Sequence, residues 1–203
     1  MNVNEVLLLT AYLPNLEYLN KVINSSTVYI EAHEHFVKQT YRNRCEILTA
    51  MGKLTLSIPL LKQSDKEIIT KKRISYAENW QQQHWRSITS AYKNSPYFEF
   101  FEDDFKPFYD TKYEFLFDYN LEFLKVILHI LRIKKDIQLT HEYEVNPLQM
   151  VDLRNLTSEN NFNKASVTPY YQVFEGRAGF TPNLSCIDAL FNVGLETLSL
   201  SGF

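Results

Sequence analysis

The sequence predicts an α/β fold: a Rossmann-like three-layer arrangement with a mostly parallel sheet and an additional hairpin. Three observations carry this reading. An apolar run, a helical stripe and an alternating segment follow one another at the start, which is the order of a βαβ unit. Two apolar runs flank Met51-Gly52-Lys53, a tight-turn signal between paired strands. Two long helical stripes then follow, with further short strand-like segments behind them.

The elements follow in order. Glu5 to Thr10 holds Val6-Leu7-Leu8-Leu9, short and apolar enough for a buried first strand. Pro14 suits the first turn of a helix, where a missing N–H costs nothing. Leu16, Leu19, Val22 and Ile23 then recur at helical spacing. Asn24-Ser25-Ser26 reads as a loop, and Thr27 to His35 as the second strand. On that strand Val28, Ile30, Ala32 and Phe36 would face one way, and Glu31, His33 and His35 the other. Cys45 to Leu48 and Leu54 to Ile58 form the hairpin, with Leu54, Leu56 and Ile58 on one face. The charged stretch from Lys62 to Arg73 reads as a solvated loop, or as a lid that closes on an anion.

Asn79 is placed to cap a helix whose face carries Trp80, His84, Ile88 and Ala91. Phe98, Phe100, Phe101 and Phe105 form an aromatic cluster. Tyr113 to Ile133 is the longest helical pattern, striped by Leu116, Tyr119, Phe123, Ile127 and Ile130. Ile137 to Val145 reads as a short strand, and Val151 begins the last section. Asn160 to Ala165 is polar loop. Ser185 with Asp188 is a capping-box pattern before Cys186, Ala189, Leu190 and Val193, and Gly194 stops that helix.

Length and composition narrow the function classes. A chain of 203 residues fits a single domain, 1–203. With 45% hydrophobic and 22% charged residues it has ordinary globular composition. A net charge of −3 speaks against a general nucleic-acid binder. The apolar stretch Val126 to Ile133 is too short to span a bilayer, so no membrane insertion is expected. The start lacks a basic signal-peptide region, and Cys45 and Cys186 lack CxxC spacing. Both cysteines read as reduced, buried thiols, and the expected location is cytoplasmic.

Chemistry concentrates between Tyr29 and Arg44. Glu31, His33 and His35 at i, i+2 and i+4 have the residue types of a metal site. One strand cannot easily turn three ligands to one point, so no metal is assigned. His33 and His35 are instead candidate proton carriers near neutral pH. Satisfied polar residues on a half-exposed strand are the plainer alternative. Lys38, Arg42 and Arg44 could hold phosphate or carboxylate, arginine bidentately. Tyr41 and Asn43 lie in the same run. His84 is a packed core histidine or a contributor to the site. Tyr170, Gln172, Arg177 and Asn183 surround a Gly-rich bend that is either a capped turn or a ligand rim. There is no Gly-rich phosphate loop, GxSxG, HExxH or cysteine cluster, so serine or cysteine nucleophilic catalysis has no support. No cofactor follows from the sequence.

Four segments also carry a family resemblance. They are Tyr12-Leu13-Pro14-Asn15-Leu16-Glu17-Tyr18, then Lys38 through Arg44, then Trp80-Gln81-Gln82-Gln83-His84 through Ser95-Pro96-Tyr97-Phe98, and finally Tyr170 through Asn192. In this order they resemble the WbqC-like protein family. Where family members often have a His-Gln-Pro turn, this chain reads Leu8-Leu9-Thr10-Ala11. The resemblance implies a cytoplasmic bacterial transferase that modifies an activated or amino sugar in O-antigen or other surface-polysaccharide biosynthesis. Its partner would be an anionic small molecule such as a nucleotide sugar. The alternative is a non-catalytic binding or scaffold protein for an anionic ligand, and a homo-oligomer is left open. The resemblance moves weight from the histidines to Lys38, Tyr41, Arg42, Asn43 and Arg44.

Overall fold

The computed structural model describes residues 5–64, 66–157 and 168–201. The expected loop at Asn160 to Ala165 lies outside the described residues. The fold is α/β, with a four-stranded parallel sheet flanked by helices and a separate two-stranded antiparallel hairpin.

Strand β1 (Glu5–Leu8) lies inside the sheet, paired in parallel with β2 (Thr27–Ile30) on one side. Helix α1 (Leu16–Asn24) makes the crossover between them. Its cap is Asn15, whose side chain accepts from the Tyr18 N–H, and its expected stripe of Leu16, Leu19, Val22 and Ile23 is buried. A cap of this kind satisfies one of the orphan donors of the first turn.

The hairpin comprises β3 (Arg44–Thr49) and β4 (Gly52–Ser57). Gly52 turns it with a φ of 102°, a conformation that favours glycine. Leu56 and Ile58 face the core as expected, while Leu54 is exposed. A single-turn 3-10 helix, Ile69–Lys71, follows.

Helix α2 (Trp80–Tyr92) buries Trp80, His84, Ile88 and Ala91 on one face. Asn79 sits at its cap position, but its side chain donates to Gln82 instead of accepting a backbone N–H. Helix α3 (Phe98–Phe105) buries Phe98 and Phe105 and exposes Phe100, so the aromatic cluster is split between core and surface. After α4 (Pro107–Asp110), helix α5 (Leu116–Ile130) buries its whole expected stripe. Phe108 and Phe123 stack there at 3.9 Å between centroids.

Strand β5 (Asp136–Leu139) pairs with the far side of β2, and β6 (Val151–Asp152) with the free side of β1. The sheet order is therefore β5-β2-β1-β6, all parallel. The chain builds outward from β1 in one direction, then returns to its other side. In open parallel sheets such a reversal leaves a crevice beyond the carboxyl ends of the strands. Arg154–Thr157 forms a 3-10 turn directly after β6. Helices α6 (Glu175–Ala178) and α7 (Cys186–Val193) complete the chain, with 3-10 structure over Gly194–Ser201. Gly194 ends α7 with a φ of 59°.

One expected capping box resolves differently. Ser185 does cap α7, its hydroxyl accepting from the Ile187 N–H. The Asp188 carboxylate does not reach back to it. Instead it accepts from the hydroxyls of Tyr92 and Tyr170 and from the Gln172 amide. Both cysteines are free and buried.

Candidate functional site

The crevice beyond β1 and β6 is a cleft of about 560 Å³. It is lined by Leu9, His33, Glu34, His35, Val37, Arg42, Tyr143 and Arg154. A second cleft of about 580 Å³ is lined by Phe36, Lys38, Gln39, Asn43, Arg44, residues 58 to 64 and Lys72. Residues 33 to 44 contribute side chains to both.

Local chemistry ends β2 early, at Ile30 instead of His35. Glu31 Oε1 accepts from the His33 N–H two residues on, at 2.9 Å, and from the Thr140 hydroxyl at 2.8 Å. A side chain that bonds nearby backbone competes with the sheet ladder. The expected alternation is lost with it. Glu31 and Glu34 turn inward, 0% and 6% exposed, while His33 and His35 turn out to solvent at the cleft.

Each inward carboxylate meets an arginine. Glu34 takes two hydrogen bonds from Arg42, the Nε bond being 2.9 Å, and Arg42 Nη1 also donates to the Thr40 hydroxyl. Burial pushes the Glu34 carboxyl above its ordinary range, although the Arg42 guanidinium pulls it down. Glu31 Oε2 lies 3.6 Å from Arg154 Nη1. Arg154 also grips Asp152, donates to the Glu144 and Val145 carbonyls, and lies 5.0 Å over the Tyr143 ring. Its hydrogen bonds hold the Asp152 carboxyl below the usual range.

The candidate residues fall into three groups. His33 and His35 line the sheet-edge cleft, His33 with Nε2 3.1 Å from the Thr140 carbonyl. Arg42 lines it too, with its guanidinium engaged by Glu34 and Thr40. Lys38, Asn43 and Arg44 line the neighbouring cleft.

Tyr41, Trp80, His84, Tyr170, Gln172 and Asn183 line neither cleft. Trp80 and His84 pack with Tyr12 and Tyr119 in the core. Tyr170 and Gln172 gather on Asp188. Asn183 adopts a φ of 61°, accepts from Asn15 and donates to the Tyr41 hydroxyl at 2.9 Å. It fastens the candidate run to the start of α1. Of Arg177 only the backbone, within α6, is described.

Sequence reasoning missed Glu34, Tyr143 and Arg154 as cleft residues. The signal available was the position of Arg154 just past a strand, at the carboxyl edge of a parallel sheet.

His84 shows what the core imidazole does. Its Nδ1 lies 3.1 Å from the Tyr12 hydroxyl, which lies 3.0 Å from that of Tyr109. A hydrogen bond to the Ser57 carbonyl engages the ring as donor, so Nδ1 accepts from Tyr12 in the neutral form. Burial pushes its pKa down to about 4, against the opposing pull of Ser57. Between an ordinary value of about 6.5 and that one, the unfolded chain binds a proton the folded chain refuses. Stability therefore falls as pH drops through this window, by up to about 3 kcal/mol. Urea midpoints of the native protein and of His84→Gln, taken between about pH 7 and pH 4.5, test this. The variant should lose less stability on acidification, and an equal loss in both would refute the assignment.

The model of the WbqC-like protein family matches residues 10–161, which include α1, β6 and the lining of both clefts except Leu9. The chain belongs to the WbqC-like protein family. It is also similar to the "Uncharacterized protein Rv1507c" of Mycobacterium tuberculosis, 22% identical over 211 residues and covering 91% of each chain. No solved structure matches. The WbqC-like match takes in the run from Lys38 to Arg44 and the Arg154 turn, and ends before Tyr170. Among the described residues no helix is long and apolar enough to cross a membrane.

Proposed function

We propose that this WbqC-like chain is a cytoplasmic transferase that modifies an activated or amino sugar in bacterial surface-polysaccharide biosynthesis. One observation carries the reading. The crevice at the strand-order reversal brings two solvent-facing imidazoles, His33 and His35, opposite Arg154 and Tyr143 in a cleft sized for a small molecule. An imidazole can take a proton from an attacking amine or hydroxyl. Tyr143 offers an aromatic face, already covered in part by Arg154. The family's link with polysaccharide pathways supports the substrate class.

A second reading has its own observation. Arg42 and Arg154 are each paired to a carboxylate, and among the described residues no serine, threonine, cysteine or lysine lines the cleft. That favours a protein that binds an anionic sugar without transforming it. Turnover decides between the two. Purified protein is offered nucleotide sugars with acyl donors, and product is followed by mass spectrometry. As a transferase it should turn over, and replacing the proton-carrying histidine, His33→Gln or His35→Gln, should slow the reaction about 10²–10⁴-fold. Saturable binding with no product from any pair would replace this reading with the second.

A further inference from the structure

We propose that Glu31 and Thr140 hold His33 as its Nε2–H tautomer, so that His33 Nδ1 is the nitrogen that accepts a proton in the sheet-edge cleft. The tautomer needs no turnover, and only the use made of the proton rests on the transferase reading.

The partner of the ring decides the tautomer. His33 Nε2 lies 3.1 Å from the Thr140 carbonyl oxygen. A carbonyl can only accept, so Nε2 carries the hydrogen. In the neutral ring Nδ1 is then the one acceptor left. His33 is exposed and lines the cleft.

A surface histidine resting on a loop carbonyl is the ordinary alternative, and the bonds around His33 separate it from that case. Thr140 follows β5 and meets the end of β2, where its N–H donates to the Ile30 carbonyl at 3.1 Å. Its hydroxyl accepts from the Ala32 N–H at 3.0 Å and donates to Glu31 Oε1 at 2.8 Å. That same carboxylate oxygen accepts from the His33 N–H at 2.9 Å. The residue before His33, its own N–H and its ring are thus all fastened to one pair of side chains and their backbone. Glu31 is 0% exposed, and withdrawing a carboxylate from water is costly unless its bonds are made. Here those bonds fix the backbone that carries the imidazole. Glu31 Oε2 lies 3.6 Å from Arg154 Nη1, so one buried group positions both walls of the cleft. His35 differs. It is anchored through its backbone, in a bridge to Ile68, and its ring makes no hydrogen bond to a described residue. The other ionisable groups of the cleft are Glu34 and Arg42 on the run of His33, and Tyr143 and Arg154 opposite.

In a transfer, the O–H or N–H bond of the acceptor breaks as the acceptor's electron pair attacks the activated carbon of the donor. The proton passes to His33 Nδ1, while Nε2 keeps its own. The bond to the leaving group breaks with its electrons, and the imidazolium gives the proton from Nδ1 to that group. Glu31 and Thr140 are positioning residues and act only through the ring they place.

Nitrogen NMR of the full chain with isotopically labelled histidine tests this, the His33 signals being assigned by their loss in His33→Gln. At about pH 9, where imidazoles are neutral, Nε2 should show as the protonated nitrogen and Nδ1 as the bare one, fully separated. His35 should show partly averaged signals, as a ring that exchanges tautomers does. On acidification the His33 Nδ1 signal should move to the protonated position while Nε2 stays nearly fixed. Thr140→Val removes both hydroxyl bonds and should draw the two His33 signals together, and Thr140→Ser should restore their separation. A purely structural Thr140 would leave them unmoved. The same tautomer with no product from any substrate pair would end the transferase reading and leave the lock standing. With turnover, His33→Gln should slow the reaction about 10²–10⁴-fold and His35→Gln should keep most of the rate. A bare Nε2, averaged His33 signals in the native chain, or a rate loss confined to His35→Gln would each overturn the proposal.

Discussion

Replacing Arg42 by methionine is expected to cost about 3–5 kcal/mol of folding stability, the range for removing one partner of a buried ion pair. Arg42 and Glu34 are 5% and 6% exposed, and the guanidinium meets both carboxylate oxygens. Desolvating two ions is expensive, and their attraction offsets it only while both are present. Without Arg42 the carboxylate loses the one strong influence that lowers its pKa, and burial already pushes it up. Its pKa should then rise further above the ordinary carboxyl range. The backbone of both residues is shared with neighbours. Ile69 N–H donates to the Glu34 carbonyl, and the Asn120 amide donates to the Arg42 carbonyl at 2.7 Å. Loss of the pair therefore loosens the wall between the two clefts. The double variant Glu34→Leu with Arg42→Met should recover most of the single loss, because no charge remains buried. Urea unfolding of the two single variants and the double variant closes the cycle. A cost below about 1 kcal/mol for Arg42→Met would place the pair with surface ion pairs and refute this account.

That pair also shows why the site was only partly legible in the sequence. The helical stripes of α1, α2 and α5 are local patterns, and each buries the residues its period selects. The βαβ start and the hairpin follow from similarly local signals. Strand alternation past Ile30 failed because the partners that draw the carboxylates inward are remote in sequence. Glu34 turns in for Arg42, Glu31 for Thr140 and Arg154, and no period encodes either. The histidines were left at the rim by the same event. Arg42 and Arg44 look alike as neighbours in a basic run, yet one is held by a carboxylate and the other lines an open cleft. In the charged stretch that reads as a solvated loop, Lys62 is exposed as expected, while Lys72 is buried with its Nζ over the Phe36 ring, a contact no local pattern encodes. The capping pattern at Ser185 misled in the same way. Its first half is local and correct, while Asp188 answers to residues on α2 and in the segment before α6.

Asp188→Leu should be among the most damaging substitutions, on the order of 4 kcal/mol, because it orphans several buried donors at once. The carboxylate accepts from Tyr92 at 2.8 Å, Tyr170 at 2.7 Å and Gln172 at 3.0 Å. Tyr92, Gln172 and Asp188 are nearly inaccessible to water, so the lost bonds cannot be replaced by solvent. Asp188→Asn keeps one accepting oxygen and presents an amide N–H₂ in place of the other. It should cost less, about 1–2 kcal/mol, with the Tyr92 hydroxyl the donor left without its acceptor. The order leucine worse than asparagine is the signature of a hydrogen-bonding role, since leucine is close in size and better suited to an apolar core. Acid adds an independent readout. Burial pushes the Asp188 carboxyl above its ordinary range even against three donors. The folded chain thus holds a proton that the unfolded chain has released, between about pH 3.9 and the raised value. Its contribution is fully present below that window and is lost as pH rises through it, opposite in sign to His84. Removing the carboxyl in Asp188→Asn should therefore steepen the loss of stability on acidification relative to the native chain. Urea midpoints at matched pH values measure both effects, and a leucine variant as stable as the asparagine one would refute the network.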